Sequence, residues 1–208
     1  MLMLVRVLAT CSAFALFASQ ANAQELAPSS EFFPTAIGTQ WVFSAGGVEI
    51  LERVVAHERI GNDVCARVET VFNGEPVSDE HIAVRPDGIY RVAVAGQPVT
   101  PAFRLAKFPP RLNDTWTINS MLADQPIAGS FQTGQDKVTV PAGEYATLTS
   151  TGSGFQIGQA KLSFVYHFAR GVGKVMQVTK IDGQPDVVLQ LKSFTPAKTA
   201  ATASAIPR

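Results

Sequence analysis

"YHFARGVGKVMQV", Tyr166 to Val178, contains Gly171-Val172-Gly173-Lys174, and how that cluster is read decides the fold. Glycines followed by lysine open phosphate-binding loops, but glycines between two alternating runs also turn a strand. A P-loop requires G-x-x-x-x-G-K-[ST] between a strand and a helix. Five residues before Gly173 stands Phe168, and Val175 occupies the position of the metal-binding hydroxyl. The dinucleotide pattern G-x-G-x-x-G fails as well, because Met176 replaces its last glycine. The upstream flank sets Leu162, Phe164, Tyr166 and Phe168 on one face, with Ser163, Val165 and His167 on the other. That period of two belongs to a half-buried strand. The glycines therefore predict a hairpin connection and not a nucleotide site.

The same grammar recurs along the chain. "EHIAVRPDGIYRVAVAG" (80–96) flanks a Pro-Asp-Gly turn with β-rich runs, and "DKVTVPAGEYATLTST" (136–151) does so around Pro141-Ala142-Gly143. "KVMQVTKIDGQPDVVLQLKSF" (174–194) gives two strands about Asp182-Gly183, and "VCARVETV" reads as a strand holding a half-buried Cys65. "TGSGFQIG" (151–158) reads as a flexible loop. No window beyond the leader carries a sustained helical stripe, so the chain is predicted to be mostly antiparallel β.

The first 23 residues have the form of a secretory signal. Arg6 precedes an apolar stretch, and Ala21-Asn22-Ala23 is an A-x-A site that makes Gln24 the mature start. The apolar stretch is too short for a membrane span, so the mature chain is expected to be periplasmic or secreted, without an integral span. Cleavage would leave 208 − 23 = 185 residues with formal charge 16 − 17 = −1. A near-neutral chain gives no reason to expect nucleic acid. Residues 24–31 read as a flexible lead-in, 32–194 as one β domain and 195–208 as a disordered tail. Cys11 falls in the leader, so Cys65 has no intramolecular disulfide partner.

An internal echo divides the domain. "FFPTAIGTQWVF" (32–43) and "KFPPRLNDTWTI" (107–118) align without gaps, pairing Trp41 with Trp116 and Gly38 with Asn113, 75 positions apart. Gly and Asn share a tolerance of positive φ. Two related halves, about 32–100 and 107–194, follow from this spacing.

These motifs, Phe-Phe-Pro-x-x-x-Gly-x-x-Trp (32–41), Asn-Asp-Thr-Trp (113–116), Val-Pro-Ala-Gly (140–143) and Ala-x-Gly-Val-Gly (169–173), occur in order. The chain thereby resembles a family of exported bacterial proteins of unknown function. The resemblance implies a strongly curved antiparallel sheet, similar to the half-barrels of periplasmic lipoprotein carriers. It implies no catalytic residues.

The sequence carries no recognisable catalytic set. His57, His81 and His167 have no second His or Cys at a metal-ligand spacing, so neither metal nor cofactor is expected. Glu52, His57 and Glu58 read as a wet strand face, Asp79-Glu80-His81 as solvated edge residues, and His167 as a partly exposed strand histidine. Gly152-Ser153-Gly154 lacks the spacing of a nucleophile elbow. The expectation is a non-catalytic binding module holding a lipid or other apolar small molecule on a concave sheet. Trp41, Trp116, Phe164, Tyr166 and Phe168 would form its walls. The alternative is an envelope-protein partner recruited through open sheet edges. A hydrolase with a scattered site is the remaining reading.

Overall fold

The structure, a computed structural model, describes residues 25–198. The leader with its Ala23–Gln24 site and residues 199–208 lie outside the described residues. Twelve strands follow one another: β1 Gln40–Ala45, β2 Val48–Ile60, β3 Asp63–Phe72, β4 Glu75–Arg85, β5 Gly88–Val94 and β6 Gln97–Lys107, then β7 Thr115–Leu122, β8 Gln125–Val140, β9 Gly143–Ile157, β10 Ala160–Ala169, β11 Gly173–Ile181 and β12 Val187–Thr195. Each pairs antiparallel with its sequence neighbours, as the hairpin signals require. β1 also pairs with β12, from Gln40↔Thr195 to Ser44↔Gln190, and this closes a barrel.

Closure corrects the half-barrel expectation. A curved sheet that stops short leaves two rows of unpaired backbone groups, and joining the first strand to the last satisfies both. Closure removes the free edges expected at the first and last strands, and β6 and β7 share only a short ladder.

The Gly171–Gly173 segment is the β10–β11 turn, with strand on both sides. Gly173 has φ 92°, and a Cβ there would lie 3.2 Å from Pro34 Cδ and 3.5 Å from the Trp41 indole. The residue is glycine because the chain preceding β1 crosses this turn at close range. That chain is packed: Ala27, Phe32 and Phe33 are buried, and Thr35 Oγ1 donates to Ala27 O at 3.0 Å. Gly171 N–H also donates to Glu31 O at 2.6 Å.

"TGSGFQIG" lies mostly within β9, correcting the loop reading. A Cβ at Gly152 would sit 2.5 Å from the Phe131 ring and 2.9 Å from that of Phe155. The glycine makes room for rings that cover the strand from inside. Those rings belong to an aromatic chain through the core: Trp116–Phe131 at 5.3 Å between centroids, Phe131–Phe155 at 5.1 Å and Phe155–Phe164 at 5.2 Å, continuing through Tyr166 to Phe168.

The turns in the two echoed segments share local backbone geometry. Gly38 (φ 94°) and Asn113 (φ 64°) both take positive φ. Gly38 N–H donates to Val54 O while Val54 N–H donates to Thr39 O; Asn113 N–H donates to Thr133 O while Thr133 N–H donates to Asp114 O. Both tryptophans donate through Nε1 to a carbonyl, Trp41 to Val172 O at 2.6 Å and Trp116 to Arg104 O at 3.0 Å. The second bond has a special setting. Only Val99↔Leu122 and Thr100↔Met121 pair β6 with β7, and the ladder stops at Pro101, which has no N–H to offer. The Trp116 indole bridges the seam beyond that point.

Candidate functional site

Residues directly opposite on neighbouring antiparallel strands share a face. The buried Trp41, Val68, Phe103, Tyr166 and Phe168 mark the inward face. Glu52 stands opposite Trp41, Thr70 opposite Glu52, Glu80 opposite Val68, Arg91 opposite Phe103, Lys174 opposite Phe168 and Gln177 opposite Tyr166. All six polar side chains therefore point into the barrel, where they form a belt.

The belt is internally paired. Arg91 binds both oxygens of Glu80, Nε and Nη2 each at 2.9 Å. Lys174 Nζ donates to Glu52 at 2.7 Å and reaches Gln177 Oε1 at 3.4 Å. Gln177 Nε2 donates to Thr179 Oγ1 at 3.1 Å. Burial would raise the Glu80 carboxyl, but Arg91 and then Lys174 hold it below the usual range. Burial would likewise lower Arg91, and Glu80 with Tyr166 raises it instead. Both groups lie deep, yet their side chains keep 32% and 20% exposure. At that depth the exposure faces the lumen.

Above the belt the barrel is filled. Phe33 from the preceding segment, with Val68, Ile82, Leu105 and Phe168, leaves a cavity of about 30 Å³ against the four charges, room for about one water. Below it, toward the β1–β2, β3–β4 and β11–β12 turns, the inward positions are mostly apolar, and several are incompletely covered. Ile50 stands opposite Phe43 and Phe72 opposite Ile50; Phe164 faces Thr179, which in turn faces Val187; Leu189 faces Gln177. Ile50, Phe164 and Leu189 are half-buried, while Phe72 is 37% and Val187 49% exposed. At this end of the barrel, its turn-side mouth, half-exposed inward apolar residues thus stand next to a charge-paired floor.

The five residues read as pocket walls separate here. Trp41 is buried core, Tyr166 and Phe168 line the small inner cavity, Trp116 stacks on Phe131 at the seam, and Phe164 lies half-buried among the inward residues of the mouth. Glu80, read as a solvated edge residue, belongs to the floor, and so does Glu52. His57 is separate: its Nε2 donates to Thr35 O at 2.7 Å. Glu58 lies on the outer face between Arg67 at 3.1 Å and His81 Nε2 at 2.8 Å, and its carboxyl is lowered first by the His81 hydrogen bond. His167 is buried against Thr147 and is not partly exposed. Strand alternation could have flagged Glu52, which has the phase of Val54. Arg91 and Lys174 could not be placed, because the β4–β5 and β10–β11 ladders each shift register at a bulge, between His81 and Ile82 and between His167 and Phe168.

No family model matches the chain, and no curated protein matches it. Two solved structures superpose on part of the chain. One, described as a lipoprotein of Parabacteroides distasonis, superposes with TM-score 0.47 at 12% identity, covering 81% of this chain and 100% of the other. A second, described as an exported protein of Bacteroides fragilis with a YmcC-like fold, gives TM-score 0.46 at 14% identity, covering 80% and 99%.

Proposed function

We propose that the chain is an exported, non-catalytic module that takes the apolar part of a small amphiphile into the turn-side mouth of its barrel. The observation that carries this reading is the pairing of half-exposed inward apolar residues with a polar floor directly behind them. Apolar positions facing a lumen without filling it leave surface for a ligand to cover. Export is supported by the signal-like leader. Spanning a membrane as a barrel is disfavoured by the outer face. There Arg53–Glu69 at 2.7 Å, Arg67–Asp79 at 3.2 Å and Arg85–Asp63 at 2.7 Å stand where a lipid-facing barrel carries an apolar band. Among the described residues, the charged groups at the floor of the mouth are held in ion pairs, which supports binding in preference to chemistry.

Native mass spectrometry of the protein purified from its own envelope, followed by solvent extraction, tests the reading. Co-purifying adducts of lipid mass are expected. Phe72→Asn with Val187→Asn should abolish them while leaving thermal unfolding nearly unchanged, because both side chains are exposed at the rim. A bare protein mass in repeated preparations overturns it.

A further inference from the structure

We propose that the lumen selects amphiphiles with an uncharged polar head, such as hydroxyl or ester groups, and discriminates against carboxylates and other net-charged heads. The inference rests on the reading that the mouth takes an amphiphile, and deepens it. Its basis is the charge balance of the floor. Glu52, Glu80, Arg91 and Lys174 are the charged side chains lining the inner cavity, two of each sign. None is spare. Arg91 is spent on both Glu80 oxygens, and Lys174 is held by Glu52.

An anionic head reaching this floor has two choices. It can draw Lys174 away from Glu52, which leaves a carboxylate unpaired in a site largely closed to water. It can instead remain beside two acids as a third anion. A cationic head meets the mirror-image problem at Arg91 and Lys174. An unpaired charge in such surroundings is costly, whereas a paired set left intact is not. An uncharged head disturbs neither pair. It finds hydrogen-bonding partners in Thr70, Gln177 and Thr179, which share the inward face and are not fully covered. The walls select for an apolar chain and the floor for a neutral end.

The test is calorimetric titration of the full-length exported protein with 1-monolauroylglycerol and with sodium laurate. Both are used below their micellar concentrations, at about pH 8, where a carboxyl of usual value about 4 is ionised. The wild type is expected to bind the glyceride at least roughly tenfold more tightly. Glu80→Gln leaves Arg91 without its partner and should shift the preference toward laurate by about the same factor. Glu52→Gln does the same through Lys174, and carries the test if the first variant does not fold. The double variant Glu80→Gln/Arg91→Gln restores neutrality and should return the preference to the glyceride. Equal or tighter laurate binding by the wild type, or a ratio unmoved in both single variants, overturns the head-group inference and leaves the amphiphile reading standing. Binding of neither compound overturns the amphiphile reading and the inference with it.

Discussion

Cys65 shows how far a residue's chemistry is set by what covers it. It lies on the outer face of β3, fully buried in a small cluster with Ala83, Tyr90 and Val92. Burial first, and then the neighbouring Asp63 carboxylate, push its thiol up to about 11. Since the thiolate is the reactive form, the folded protein should be inert to a disulfide reagent such as Ellman's and should react stoichiometrically once denatured. Rapid labelling of the native state would contradict this assignment. His167 makes the opposite kind of prediction. Its burial lowers the imidazole below its usual 6.5, with Asp136 opposing. The unfolded chain therefore takes up the proton first as pH falls. The stability held while the ring is neutral is complete above about 6.5 and declines between that value and the lower folded one. His167→Gln should flatten that part of the melting-temperature profile. Gly152 is constrained by space alone. Ala there would drive a methyl into Phe131 and Phe155, and a loss of about 1–3 kcal/mol is expected from urea unfolding.

Among the elements, the hairpins could be read directly from the chain. Pro86-Asp87-Gly88, Pro141-Ala142-Gly143 and Gly171-Val172-Gly173 each carry their turn in three residues, and each proves to join two strands. Residues of one face are harder to read, because a bulge inverts the alternation without any compositional mark. Tyr166 and Phe168 both point inward. Lys174 joins them through a register shift that nothing in "ARGVGKV" announces. The mouth was legible only at Phe164 for the same reason. Its other members come from strands whose neighbours are known only after closure. The β6–β7 seam is a further element-scale feature, since two residue pairs hold it where β2–β3 has ten. Trp116→Phe keeps the ring that stacks on Phe131 but removes the bond to Arg104 O. About 1 kcal/mol should be lost. Amide exchange should accelerate selectively along residues 101–107 and 115–119, which hydrogen-exchange mass spectrometry would resolve. Uniform acceleration around the barrel would show that the indole bond supports general packing instead of the seam.

Across the whole molecule, the decisive event is closure of twelve strands, and it sets what either half can do alone. A cut between Phe108 and Pro109, in the connection from β6 to β7, would give six strands on each side. The first half would present β1 and β6 as free edges and the second β7 and β12. In the intact barrel β1 is matched over five residue pairs by β12, and β6 is matched by the short ladder and the Trp116 bond. The core is divided as well. Phe103 from the first half packs at 5.7 Å on both Phe131 and Phe155 from the second, and Pro34 and Trp41 close over the β10–β11 turn. The floor of the mouth is split in the same way: Glu52, Glu80 and Arg91 come from one half and Lys174 from the other. Unpaired edges with an uncovered apolar face associate with each other in place of remaining monomeric. Fragments 25–108 and 109–198 produced separately are therefore expected to aggregate or remain unfolded. Produced together, they should recover a soluble one-to-one complex, seen by size-exclusion chromatography and circular dichroism. A soluble, cooperatively melting monomer of either fragment would mean that each half is a folding unit in its own right, and that the barrel is an assembly of two such units and not one closed sheet.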